Sequence, residues 1–156
     1  MEYIFVTLVI IIICLFFYFK SLKKRKIEEK SYIELKQKCL DLCRDIDNIL
    51  NDILIYLNDK KIFLESIKKI DEDIYEDDMK YYELESFLDE EIENNNLLRD
   101  TNKEYFGKLE NLDSITIDKS NLTLCLNKKD YCLERKEEII NKYKDFYDEL
   151  NIGSIL

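Results

Sequence analysis

The apolar residues between positions 31 and 93 follow a seven-residue repeat. One series recurs every seven residues, and a second series, offset by four, runs beside it. The first series is Leu35, Leu42, Ile49, Tyr56, Phe63 and Ile70. The second series is Cys39, Ile46, Ile53, Ile67, Ile74, Tyr81 and Leu88, with Lys60 as its interruption. These are the a and d positions of a coiled coil or a helical hairpin, which we predict for residues 31–93.

The stripe is wider than a two-stranded seam. Leu50, Leu54, Leu57 and Leu64 extend it, so we expect it to meet more than one helix. Two arrangements remain open. The polar segment Asn58–Lys61 would be the turn of a hairpin, whereas the unbroken repeat across it also fits one straight rod that needs a partner chain. A protein partner, or self-association through the coiled coil, is therefore expected.

The pattern changes in residues 94–156. Asn94–Asn96 should end the first helical region, because asparagine side chains compete with helical hydrogen bonds, and a short helix is expected over Leu97–Leu112. Residues 114–126 alternate apolar and polar positions on both sides of Asp118–Asn121, which predicts a small β-hairpin with a four-residue turn. Helical spacing returns from Asp130 to Leu150 and predicts a C-terminal helix docked on the coil.

The N-terminal region reads as a membrane anchor. Residues Ile4–Phe19 form an apolar run, and together with their neighbours in residues 1–22 they approach the ~20 residues that cross a ~30 Å hydrocarbon core. Insertion of the run should gain about 4–8 kcal/mol. A cleaved signal peptide fits less well, because no basic residues precede the run and no small residues follow it. We therefore predict one transmembrane helix.

A basic juxtamembrane collar occupies residues 23–30. Because lysine and arginine resist translocation, this collar predicts a single-pass protein with its N terminus outside and residues 20–156 facing the cytoplasm. The lipid bilayer is then the first expected partner. The side chains predicted to contact the membrane surface are Lys20, Lys23, Lys24, Arg25 and Lys26.

Composition and charge narrow the fold class and the kinds of partner. The chain of 156 residues has no Pro, no His and no Trp, and only two Gly. The lack of chain breakers favours long helices and a mainly α fold. The net charge is −10, with twelve acidic residues between positions 71 and 93. This sign disfavours nucleic acid as a partner.

No residue pattern points to catalysis, a cofactor or a metal. Without histidine the chain has no common general base near neutral pH and no histidine-containing metal site. Four cysteines lie outside the apolar run, and neither pair has the CxxC spacing of zinc ligands. We expect them to be buried thiols in a reducing compartment, and to form disulfides only if the domain lies outside. They are Cys39, Cys43, Cys125 and Cys132.

The sequence thus predicts a mainly α protein: a transmembrane helix, a helical hairpin or coiled-coil bundle, and one small β-hairpin. Its expected function is that of a membrane-anchored tether or scaffold that acts through protein–protein association and is not an enzyme. The alternative is a viral envelope or secretory-pathway membrane protein with an outward-facing, disulfide-bonded ectodomain.

Overall fold

The computed structural model describes the backbone of residues 2–70 and 79–149 and the side chains of residues 12–69 and 79–148. Three long helices account for nearly all of it: α1 (Glu2–Ile70), α2 (Met79–Asn111) and α3 (Lys119–Glu149). A single 3-10 turn, Ser114–Thr116, joins α2 to α3. Helix α1 lies at the centre, because α2 and α3 both pack on it and touch each other less.

Helices α1 and α2 run antiparallel in a register that two buried asparagines mark. The Asn95 side-chain amide donates to the backbone carbonyl of Leu50 (2.7 Å), and the Asn102 amide donates to that of Cys43 (2.8 Å). Seven residues forward along α1 therefore correspond to seven residues back along α2. Heptad pairing across an antiparallel hairpin has this geometry.

The predicted helical bundle is confirmed, although the chain does not turn at Asn58–Lys61. Helix α1 continues through this segment, where the Asn58 amide donates to the Leu54 carbonyl of the same helix (2.8 Å). Helix α2, which begins at Met79, runs back along α1. Ile74, which was assigned to the second apolar series, lies outside the described residues.

Both apolar series of α1 are used, together with the leucines that widen the stripe. The widening residues Leu50, Leu57 and Leu64 are buried in the cluster that also holds Ile53 of the second series and Tyr81, Leu84 and Leu88 of α2. The first series meets α3 through aromatic contacts: the rings of Tyr56 and Tyr143 lie 6.0 Å apart, and those of Phe63 and Tyr147 lie 6.2 Å apart. The wide stripe is thus explained by two neighbours.

The asparagine run does not end a helix. Helix α2 passes through Asn94–Asn96 and ends at Asn111, so the short helix predicted over Leu97–Leu112 is the second half of α2. Asn95 is fully buried, and its amide bonds α1 instead of competing with its own helix.

The predicted β-hairpin over residues 114–126 is wrong, because the described part of the chain contains no strand. Helix α3 already begins at Lys119, well before the predicted start at Asp130. The apparent alternation of Leu122, Leu124 and Leu126 does not mark a buried strand face. Leu124 and Leu126 are partly exposed on the helix, and Cys125 between them is buried.

A capping box explains why this segment is helical. The Asp118 carboxylate accepts hydrogen bonds from the backbone N–H groups of Ser120 (2.8 Å) and Asn121 (3.2 Å). In return, the Asn121 side-chain oxygen accepts from the backbone N–H of Asp118 (3.0 Å). These reciprocal bonds satisfy N–H groups that a helix start leaves unpaired. The polar residues read as a hairpin turn are therefore a helix N-terminus.

The predicted transmembrane anchor is also wrong. Among the residues that the structure describes, no helix is long and apolar enough to cross a membrane. The side chains of residues 1–11 lie outside the described part.

This finding removes the basis of two further predictions. The single-pass localisation, with residues 20–156 facing the cytoplasm, depended on the anchor and is corrected with it. The alternative, an outward-facing ectodomain on a membrane, required the same anchor.

The first prediction concerns the helix start. Replacing Asp118 with alanine (Asp118→Ala) should lower the urea midpoint of unfolding, followed by circular dichroism at 222 nm, because two backbone N–H groups lose their acceptor. The Ser120 hydroxyl and the backbone N–H groups lower the pKa of Asp118. The stabilisation that the Asp118 carboxylate contributes is therefore fully present above its pKa in the unfolded chain, about 3.9. It is lost as the pH falls through its lower pKa in the folded protein. The difference between variant and wild type should shrink in acid.

Asp113 supplies the control for this experiment. It precedes the 3-10 turn, and its side chain makes no capping hydrogen bond. Asp113→Ala should leave the midpoint nearly unchanged. Equal losses in the two variants would show that the Asp118 capping box does not stabilise α3.

The second prediction concerns the buried asparagines. Asn95→Asp should destabilise the protein by about 3–5 kcal/mol at neutral pH, because it buries a carboxylate without a cationic partner. Burial raises the pKa of such a carboxylate, so the penalty should decline as the pH is lowered through that raised value. Asn96→Asp, one position on and exposed, should change stability by about 0.5 kcal/mol or less. Urea unfolding at several pH values measures both, and a pH-independent loss at position 95 would contradict the assignment.

Candidate association surfaces

Helix α1 is much longer than the two helices packed on it. The Lys36 ammonium donates to the backbone carbonyls of Glu110 (2.9 Å) and Leu112 (2.6 Å) at the end of α2. From this level towards the N terminus, α1 continues without α2 or α3 beside it. We call residues 12–34, whose side chains are exposed except for the half-buried Leu22, the N-terminal extension.

The N-terminal extension exposes a contiguous apolar surface. Its exposed large apolar side chains are Ile12, Ile13, Leu15, Phe16, Phe17, Tyr18, Phe19, Ile27, Tyr32 and Ile33. Most of them are consecutive, so they cover every face of the helix, not a single stripe. Single exposed apolar residues are normal on protein surfaces, whereas a contiguous patch of this kind marks an interaction site.

The cations predicted to contact a membrane surface lie on the same extension. Lys20, Lys23, Lys24, Arg25 and Lys26 directly follow the apolar residues and are all exposed. Lys24 pairs with Glu28 one turn on, at 3.7 Å. Such exposed pairs contribute about 0.3–0.5 kcal/mol. One weak pair does not neutralise five cations, so the segment keeps a net positive charge.

Three of the four cysteines meet where the extension joins the bundle. Cys39 and Cys43 of α1 and Cys125 of α3 are buried in one apolar cluster, and Cys132 lies in the other. All are free thiols. Closeness in sequence therefore does not predict which cysteines are close in space: Cys125 lies with Cys39 and Cys43, whereas Cys132 lies in the other cluster. In the described ranges, no three side chains are arranged to hold a metal ion.

The neighbouring thiols of this cluster shift one another's pKa values. The Cys125 side chain lowers the pKa of Cys43, and Lys128 lowers it further, whereas the Cys43 side chain and burial raise the pKa of Cys125. Burial raises the pKa of Cys39 to about 11. Cys39 and Cys125 are therefore neutral at ordinary pH, and reaction of any of the three requires the bundle to open.

A second surface lies at the opposite end of the bundle. There side chains of α2 and α3 line an open groove of about 480 Å³. Its floor is aromatic, with the rings of Phe87 and Phe146 5.5 Å apart. We call this the acidic groove, and its residues are Met79, Tyr82, Glu83, Ser86, Phe87, Glu90, Lys142 and Phe146.

The groove was not foreseen from the sequence. Its acidic residues belong to the charged stretch at positions 71–93, which reads as a solvated helix face. Phe146 belongs to the apolar stripe of the last helix. The groove exists because α2 and α3 meet there, and no single helix pattern indicates which helices will be neighbours. The acidic residues 71–78 of the same stretch lie outside the described residues.

Comparison of the chain with protein families, curated proteins and solved structures finds no significant match. The two exposed surfaces and the thiol cluster are therefore interpreted from their own geometry and chemistry.

The third prediction concerns the thiols. In dilute protein at pH 8, a thiol reagent such as DTNB should label the exposed Cys14 rapidly. The four buried cysteines should react at least about a hundredfold more slowly, which corresponds to an opening free energy of about 3 kcal/mol. Cys14→Ser should abolish the fast phase, and guanidinium chloride should release all the remaining thiols at once. Rapid labelling of a second thiol in native protein would show that the cluster is open.

Proposed function

We propose that this protein is a scaffold that acts through protein–protein association, with the N-terminal extension as its association element and a second copy of the chain as the occupant of that surface. The observation that carries the proposal is the exposed apolar segment Ile12–Phe19. A helix that is apolar on every face is stable in water only when neighbours cover it.

The rest of α1 supports this choice. Its two apolar series are already covered by α2 and α3 of the same chain. The bundle thus needs no partner to bury its own stripe. The extension is the part of α1 that has apolar side chains and no helix beside it in the described residues, so association is expected there and not along the coil.

The free energy available from burying this surface is comparable to the cost of association. Seven large apolar side chains between Ile12 and Phe19 are exposed. Burying half of each would gain roughly 5–10 kcal/mol, against an association cost of about 4–15 kcal/mol. The balance is close, so most of this surface must be covered for a stable assembly. Loss of two central side chains should then be enough to prevent it.

The fourth prediction tests the association. Wild-type protein should sediment as an oligomer at micromolar concentration, and Phe16→Glu/Phe19→Glu should weaken self-association by at least about a hundredfold, because two buried carboxylates replace two buried rings. Analytical ultracentrifugation of the full chain measures this. Labelling of Cys14 gives a second measure, since it should slow with rising concentration in the wild type and not in the variant.

The bundle offers a matched control. Phe16 and Phe19 are 64% and 65% exposed, and Ile62 and Leu97 on the bundle surface are 65% and 66% exposed. Ile62→Glu/Leu97→Glu therefore makes the same kind of change at equally exposed positions, and it should leave the assembly intact. A monomeric wild type, or equal losses in the two double variants, would refute the proposal.

A further inference from the structure

The acidic groove and the N-terminal extension have complementary chemistry. Glu83 and Glu90 are seven residues apart on α2 and so lie on the same face, beside the aromatic floor. The Lys142 ammonium lies 4.5 Å from the centre of the Phe87 ring, on the α3 side. The groove therefore has one acidic wall, an apolar floor and exposed Met79 and Tyr82 at its rim.

One face of the extension carries the matching groups. Phe17, Lys20, Lys24 and Ile27 are spaced by three or four residues and line one side of the helix together. Apolar side chains lie at both ends of this face, and two cations lie between them. A helix with this face fits a groove that has an aromatic floor and carboxylates along one wall, in the way that amphipathic helices dock into apolar grooves.

We infer that residues 17–27 of one copy dock into the acidic groove of a second copy, so that the protein assembles head to tail. This inference rests on the proposed self-association and names the surface that receives the extension. The charges would set the direction and the partner of docking, and the apolar side chains would supply most of the affinity.

The groove cannot be filled by the extension of its own chain. The heptad register that pairs Asn95 with Leu50 sets the groove residues of α2 opposite the part of α1 near Leu57 and Leu64. Residues 17–27 lie thirty to forty-five residues away along the same continuous helix, which is roughly 45–70 Å at 1.5 Å per residue. A straight helix cannot fold back over this distance, so an extension that occupies the groove must come from another molecule.

The two surfaces differ, and this has a consequence for the assembly. When each extension docks in the groove of the next copy, the interface is heterologous and produces a ring or an open chain of copies. Reciprocal exchange, in which two copies place their extensions in each other's grooves, would instead close a two-fold dimer. In the head-to-tail arrangement, assembly should continue beyond two copies as concentration rises, and a species that stops at two copies would show reciprocal exchange instead.

The fifth prediction is a charge exchange. Glu83→Lys/Glu90→Lys and Lys20→Glu/Lys24→Glu should each weaken self-association by at least about tenfold, because two attractive contacts become repulsive. The chain carrying all four substitutions should assemble within about threefold of wild type, because opposite charges again face each other. Sedimentation velocity over a concentration series, at low and at high salt, measures all three.

The control uses the same helix and spacing. Glu93 and Asp100 are also seven residues apart on α2 and exposed, and Glu93→Lys/Asp100→Lys should leave assembly unchanged. Circular dichroism confirms that each variant remains helical. Recovery in the fourfold variant alone supports docking in the groove.

The other outcomes separate the two proposals. If the groove variant assembles like wild type while Phe16→Glu/Phe19→Glu does not, the extension self-associates and the groove is not its receptor. If both charge variants lose self-association and the fourfold variant does not regain it, the paired contact is refuted. If the wild type is monomeric, this inference and the proposed function both fall.

Discussion

The register between α1 and α2 is the constraint on which the rest of the structure depends. Leucines at heptad positions supply most of the buried surface, but leucines alone would tolerate a slip of one heptad. Asn95 and Asn102 mark the alignment by donating to the carbonyls of Leu50 and Cys43, but backbone carbonyls recur at every heptad and would accept these bonds in a slipped register too. Their side-chain oxygens are buried without a hydrogen-bond partner in the described residues, which costs stability. The contact between α1 and α2 that a slip of one heptad would break is the side-chain pair of Arg99 and Asp47, because leucines occupy the positions one heptad to either side of Asp47.

Ion pairs along the outside of the bundle agree with that alignment. Asp47 of α1 accepts from the Arg99 guanidinium of α2 (3.0 Å), and Asp45 and Asp52 of α1 receive Lys129 and Lys136 of α3 (2.7 and 3.0 Å). The Asp45 and Asp52 pairs repeat the heptad step on a second helix. These contacts are partly exposed and individually weak, so they do not hold the bundle together. A slip of α2 by one heptad would break the Arg99–Asp47 pair, and a slip of α3 would leave only one of its two pairs, so these weak contacts favour the observed alignment.

The helical character of residues 31–70 and 79–93 and many of their buried positions could be read from periodicity, because the stripe on α1 is long and strongly repeated. The two misread segments have different physical causes: Asn95 bonds to another helix, which no local pattern displays, whereas Asp118 and Asn121 form a local capping box that the sequence does contain. Asn95 was read as a helix terminator, yet its amide bonds another helix. Asp118 and Asn121 were read as a hairpin turn, yet they cap α3. The acidic groove was beyond prediction because it needs the relative placement of two helices.

The continuity of α1 connects the bundle to its surfaces. The same helix that forms the core of the bundle also carries the N-terminal extension, and the chain has no proline to kink it. The direction in which the extension projects is thus fixed by the packing of residues 35–69. The register then determines how far the extension lies from the acidic groove, since both are measured along α1. In a head-to-tail assembly this distance would set the repeat between copies, so a one-heptad change in register would alter the repeat by about 10 Å. A single alignment inside each bundle is therefore what a uniform assembly would require.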